Sequence, residues 1–142
     1  MEKSVNPLLK PHDVSSYPIL TLAYMGDTVL ESFVREYIII NHPNDKPGIL
    51  VTHSRAFVTC EAQSDAIERI LPKLDESESD IYRRGRNAKT HYTPRHGDVI
   101  QYRRATGFEA LMGYLYLCGR YDRAKELFLA AYQISDTEGQ EK

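Results

Sequence analysis

The chain has 142 residues, 42% hydrophobic and 27% charged, with a net charge of −2. This suits one globular domain spanning 1–142, with its core over about 15–132 and flexible ends at 1–12 and 135–142. No apolar run approaches the roughly 18 residues that cross a bilayer, and Met1 to Lys10 lacks the apolar stretch of a secretion signal; a cytoplasmic protein with no membrane partner is expected.

The elements read as helices throughout. Ser15 or Ser16 can cap a helix with Pro18 in its first turn, where a missing N–H costs nothing. Apolar residues at helical spacing from Ile19 to Ile40 carry it to about Asn41, where Asn41-His42-Pro43-Asn44 stops it. Pro47 to Leu71 reads as one or two helices ending at Pro72. Carboxylates between Asp75 and Asp80 favour the first turn of a short helix to about Arg86. Asn87 to Gly97 is a polar loop. Asp98 and Gln101 have the form of a capping box for a long helix, Val99 to Cys118, stopped by Gly119. A last helix covers Asp122 to about Tyr132. Nothing alternates as a strand does, so the fold class is all-α. Cys60 and Cys118 stand far apart without ligand spacing and read as packing residues in a reducing compartment.

Charge is unevenly spread. Arg83, Arg84, Arg86, Lys89, Arg95, Arg103 and Arg104 lie in one window with a single acid, Asp98, which makes that window +6 and the remainder −8. Such a stretch is either a solvated basic face or the footprint of a polyanion.

Two apolar helices each carry an acid where an apolar residue belongs. Asp27 follows Gly26 among Ala23, Met25, Val29 and Leu30, and Glu109 stands between Gly107-Phe108 and Ala110-Leu111-Met112-Gly113. Glycine inside a helix costs about 1 kcal/mol relative to alanine, a cost tolerable where another helix must come close. A buried carboxylate needs a cation or donors beside it. Two of them suggest a divalent metal between the helices, and pairing with Arg35, Arg103 or Arg104 is the alternative. Asp98, about 16 Å from Glu109 along a straight helix, reads as a cap. Glu31, one turn after Asp27, is either near the metal or solvated. His12, His42, His53, His91 and His96 show no ligand spacing.

At this point the sequence resembles a family. Leu22-Ala23-Tyr24-Met25-Gly26-Asp27-Thr28-Val29-Leu30-Glu31 is similar to the ribonuclease III signature Leu-Glu-Phe-Leu-Gly-Asp-Ala-Val-Leu-Glu. Phe108-Glu109-Ala110-Leu111-Met112-Gly113-Tyr114-Leu115-Tyr116-Leu117 resembles that family's second catalytic helix. The block Arg83-Arg84-Gly85-Arg86-Asn87-Ala88-Lys89 and the short chain, with no room for an appended double-stranded-RNA-binding domain, resemble the bacterial subfamily Mini-ribonuclease III.

The resemblance implies an α-helical homodimer that cuts double-stranded RNA with Mg²⁺ (Mn²⁺ substituting), leaving 5′-phosphate and 3′-hydroxyl ends. Its expected task is maturing the ends of precursor 23S (large-subunit) ribosomal RNA. Asp27 and Glu109 fall on the catalytic, metal-binding acids, and Arg84, Arg86, Asn87 and Lys89 are the expected RNA contacts. Where the family has two further acids, this chain has Ala23 and Thr106, which implies weaker metal affinity and more water in the shell. The rival reading is a catalytically inactive RNA-binding scaffold. A helical nucleotide pyrophosphatase ranks last, because no Glu-x-x-Glu cluster is present.

Overall fold

The computed structural model describes residues 11–89 and 98–135, with backbone only for Pro11 and His12. Seven α-helices follow in order: α1 (Pro11–Ser15), α2 (Ile19–Asn41), α3 (Pro47–Val58), α4 (Cys60–Ile70), α5 (Glu76–Arg86), α6 (Val99–Leu117) and α7 (Tyr121–Ala131), with a 3₁₀ turn at Leu71–Lys73. The fold is all-α, and no strand occurs among the described residues.

The expected serine cap does not form. Ser16 Oγ donates to Asp13 O at 2.6 Å, finishing α1, a short helix that precedes the long one. Val14 on α1 is fully buried. Pro18 takes the cap position of α2 without any side-chain bond. From there α2 buries Leu22, Ala23, Gly26, Val29, Leu30, Val34 and Ile38, a stripe at helical spacing. It ends where the His42 N–H bonds Ile38 O and Pro43 follows.

Pro47 opens α3, and none of that helix's residues is buried. Thr59 breaks the segment in two, because its hydroxyl accepts from Ala62 N at 3.2 Å and starts α4. A capping box opens α5: Asp75 Oδ1 accepts from Glu78 N at 2.8 Å and Glu78 Oε1 accepts from Asp75 N at 3.0 Å. Asp98 does cap α6, but it accepts from Ile100 N at 2.7 Å instead of boxing with Gln101. Gly119, with φ +75°, closes α6 through Gly119 N to Tyr116 O and Arg120 N to Leu115 O.

The central helix is α6. It packs against α1, α2, α4, α5 and α7, and it buries 105–108 and 110–115 without a solvent face. An all-round apolar sequence is what a helix surrounded by helices requires.

Glu78 takes its place in the first turn of α5, as the sequence suggests, and gains a partner from another helix. It is fully buried, and Arg123 grips it through Nε to Oε2 at 2.8 Å and Nη2 to Oε1 at 2.7 Å, while also donating to Lys73 O. Burial alone would raise the Glu78 carboxyl. The Arg123 bonds, the Asp75 amide and the charges of Arg123 and Arg120 outweigh it and hold the group low. Removing one partner of such a pair strands the other, at about 3–5 kcal/mol.

Candidate active site

The site begins with two glycines. A Cβ on Gly26 would lie 1.5 Å from Glu109 O and 2.9 Å from Gly113 N; one on Gly113 would lie 1.9 Å from Leu22 O. The backbones of α2 and α6 therefore touch, and no larger residue fits at either position. Asp27 is next in sequence to Gly26, and Glu109 is one turn before Gly113. Their side chains leave the crossing on the same side.

The two carboxyl groups meet. Glu109 is half-buried and hydrogen-bonded to the side chain of Asp27, which is open to solvent. Burial first, then the Asp27 charge, then their shared bond push the Glu109 carboxyl up to about 8. A Glu109 carboxyl raised that far keeps its proton at neutral pH when no cation is beside it. A hard divalent cation would take the place of that proton, so the donor set fits such an ion.

The arginine alternative loses two of its three candidates. Arg35 lies 4.0 Å from Glu31, and Arg104 pairs with Glu68 at 2.8 Å. Glu31 itself is half-buried on α2, one of its oxygens enclosed without a hydrogen bond. Ala23 and Thr106 are both buried, and the Thr106 hydroxyl donates to Tyr102 O at 3.0 Å. Neither offers a carboxylate.

Behind Glu109 stand two groups that respond to its charge. Burial and then Glu109 push the Cys60 thiol up. Tyr132 is raised by burial, against Arg69 and with Glu109, and its hydroxyl donates to Phe57 O at 2.6 Å. Cys60 is half-buried and free of any disulfide.

A second glycine contact sets the basic block. A Cβ on Gly85 would lie 2.8 Å from Gly107 Cα and 2.9 Å from Ala110 Cβ; one on Gly107 would strike the ring of Tyr82 at 2.7 Å. The last turn of α5 is therefore pressed on α6 two residues from Glu109. The four expected RNA contacts differ in their freedom. Arg84 donates from Nη1 to Ser15 O at 2.9 Å, tying α5 to the end of α1. Arg86 lies 5.6 Å over the Tyr82 ring, its Nε on Asn87 Oδ1 at 3.2 Å. Asn87 and Lys89 are exposed. Arg95, His91 and His96 lie outside the described residues.

The sequence reading missed one cluster. His42, Asp45 and His53 converge at the α2–α3 corner, correcting the view that no histidine has ligand partners. Their spacing of three and eight residues spans a turn, so no single-helix periodicity could flag it.

A model of the ribonuclease III domain matches residues 20–120, which include both acids and all of α5. The chain belongs to the ribonuclease III family, metal-dependent endoribonucleases, and within it to the Mini-ribonuclease 3 group. The Mini-ribonuclease 3 of Symbiobacterium thermophilum is 44% identical over 114 residues, covering 80% of this chain and 87% of its own. That of Thermoanaerobacter sp. is 39% identical over 140 residues, covering 94% and 98%. A crystal structure of a Fusobacterium nucleatum protein, 31% identical, matches with a TM-score of 0.73 over 82% of this chain and 92% of that one.

Proposed function

We propose that this endoribonuclease cuts double-stranded RNA with Mg²⁺, as a cytoplasmic homodimer that matures the ends of precursor 23S ribosomal RNA. The observation that carries the reading is the Asp27–Glu109 carboxyl pair, fixed at a backbone-to-backbone helix crossing. Mg²⁺ suits one or two carboxylates with water and phosphate oxygens completing its shell, and Mn²⁺ can substitute. Once bound, the ion supplies Lewis acidity toward the scissile phosphate and an activated water.

The chain's own residues do the rest. Asp27 and Glu109 would hold the ion, and Glu109 would give up its proton to do so. Arg86, Asn87 and Lys89 meet phosphates and 2′-hydroxyls, the groups through which duplex RNA is read by shape. Arg84, committed to Ser15 O, supports this surface as much as it touches RNA. Hydrolysis leaves a 5′-phosphate and a 3′-hydroxyl.

Two features support a homodimer. Leu20 and Tyr24, one turn apart on α2, are 43% and 83% exposed. A groove of about 430 Å³ runs between α2 and α3, lined by Ile38, Ile39, Pro47, Leu50, Val51 and Val58 among others. Apolar surface of this kind marks an interface. Ribosomal RNA as substrate rests on the resemblance set out above.

The test incubates the protein with duplex RNA, single-stranded RNA and duplex DNA, with and without Mg²⁺. Mg²⁺-dependent cutting of duplex RNA alone, abolished in Asp27→Asn and Glu109→Gln, is the expected result. Ala23 and Thr106 favour the scaffold reading, which predicts RNA binding without cleavage under every condition.

A further inference from the structure

At the α2–α3 corner His42 Nδ1 lies 3.4 Å and His53 Nε2 3.2 Å from the same oxygen, Asp45 Oδ2. One ligand atom from each of the three residues falls within 4.8 Å of the others. The imidazoles stack, with centroids 3.9 Å apart and planes 14° from parallel. All three side chains are 36–40% exposed, so solvent and ions reach them.

The corner is held by backbone as well. His42 N–H bonds Ile38 O at 2.8 Å, and Asp45 N–H returns to His42 O at 3.2 Å. Two ligands thus sit on a closed turn, and the third sits on α3, which that turn introduces. Fifteen residues of α2, about 22 Å of helical rise, separate His42 from Asp27. This cluster is therefore distinct from the carboxylate pair.

Two imidazole nitrogens and one carboxylate oxygen form the donor set of a borderline cation such as Zn²⁺, with one position left to solvent. A tetrahedral shell with bonds of about 2.0–2.1 Å has edges of about 3.4 Å. That is the separation already present between Asp45 and each imidazole; the stacked rings, both partly exposed, would turn out of parallel so that their in-plane lone pairs converge on the ion. An ion at this point would take the place of the proton shared between His53 Nε2 and Asp45 Oδ2, which lie 3.2 Å apart. The all-oxygen pair at Asp27 and Glu109 has the opposite preference, for a hard ion.

We infer that His42, Asp45 and His53 form a second cation site, taking one Zn²⁺-class ion that clips α3 to the end of α2. The clip matters for α3 because that helix buries no residue of its own.

Equilibrium dialysis against Zn²⁺ tests this on the full chain carrying Asp27→Asn and Glu109→Gln, so that only the corner binds. One equivalent is expected, with Co²⁺ in its place giving the visible absorption of a tetrahedral ion. The parent protein, its carboxylate pair saturated with Mg²⁺, must give the same single equivalent. Adding His53→Gln should weaken Zn²⁺ binding by about 100-fold or more and abolish the rise in Tm that Zn²⁺ produces. Absence of stoichiometric Zn²⁺ in both proteins, or equal binding after His53→Gln, overturns the assignment.

Discussion

The carbonyl oxygen of Glu109 lies where a Cβ of residue 26 would be, 1.5 Å from that point. One acid of the Asp27–Glu109 pair thus packs its own backbone against the glycine that precedes the other. Gly26→Ala and Gly113→Ala must force the two helices apart. Each is expected to cost about 3 kcal/mol or more, beyond ordinary overpacking, and to abolish cleavage even where some fold survives. Gly48→Ala on α3 is the control, since nothing lies within 4 Å of its Cβ. It should raise stability by up to about 1 kcal/mol. Urea denaturation of the three variants reads the contrast.

Glu109 makes stability depend on pH. Its folded pKa of about 8 stands above the usual 4.5, so between those values the folded chain binds more protons than the unfolded one. Its contribution is whole below pH 4.5, declines as pH rises, and is gone above about 8. With a chelator present, Glu109→Gln should match the parent at pH 5 and exceed its stability at pH 9. On the proposed function, Mg²⁺ at pH 9 restores stability to the parent and not to the variant. Parallel pH slopes for the two proteins would contradict this.

Glu78 has the opposite sign. Its lowered folded pKa contributes stability above the usual carboxylate range and loses it as pH falls through the folded value. Glu78→Gln should cost about 3 kcal/mol at pH 7. The gap to the parent should narrow steadily on acidification. Cleavage below the variant's Tm should persist, because Glu78 and Arg123 serve the α5–α7 junction and not the acids.

The basic residues in and just after α5 divide by what they touch. Arg86→Ala and Lys89→Ala should each flatten the salt dependence of RNA binding by about one unit of slope with little change in Tm. Arg84→Ala should lower stability by about 1–2 kcal/mol, the worth of a charged donor on the partly buried Ser15 carbonyl. Filter binding across a salt series, beside thermal melts, separates the two behaviours.

Much of this was legible in the sequence because it lay in single helices. Apolar spacing placed α2 and α6, and the misplaced acids with their glycines foretold a close crossing at Asp27 and Glu109. Features that need two elements were not legible. The Ser16 cap was misassigned because Ser16 and Asp13 close a separate turn on each other. The burial of Glu78 depends on Arg123, which α7 brings to it from 45 residues away. His42, Asp45 and His53 meet only because a turn folds α3 back on α2.

The contact between Gly85 and Gly107 gives the enzyme a rigid gauge. The helix bearing Arg86 and the helix bearing Glu109 meet main chain to main chain. On the proposed function, this joint sets the span between the helix that grips phosphate and the acids that cut. Relaxing which bond is cut would then require changing the joint, whereas changing the arginines would alter only how firmly the RNA is held.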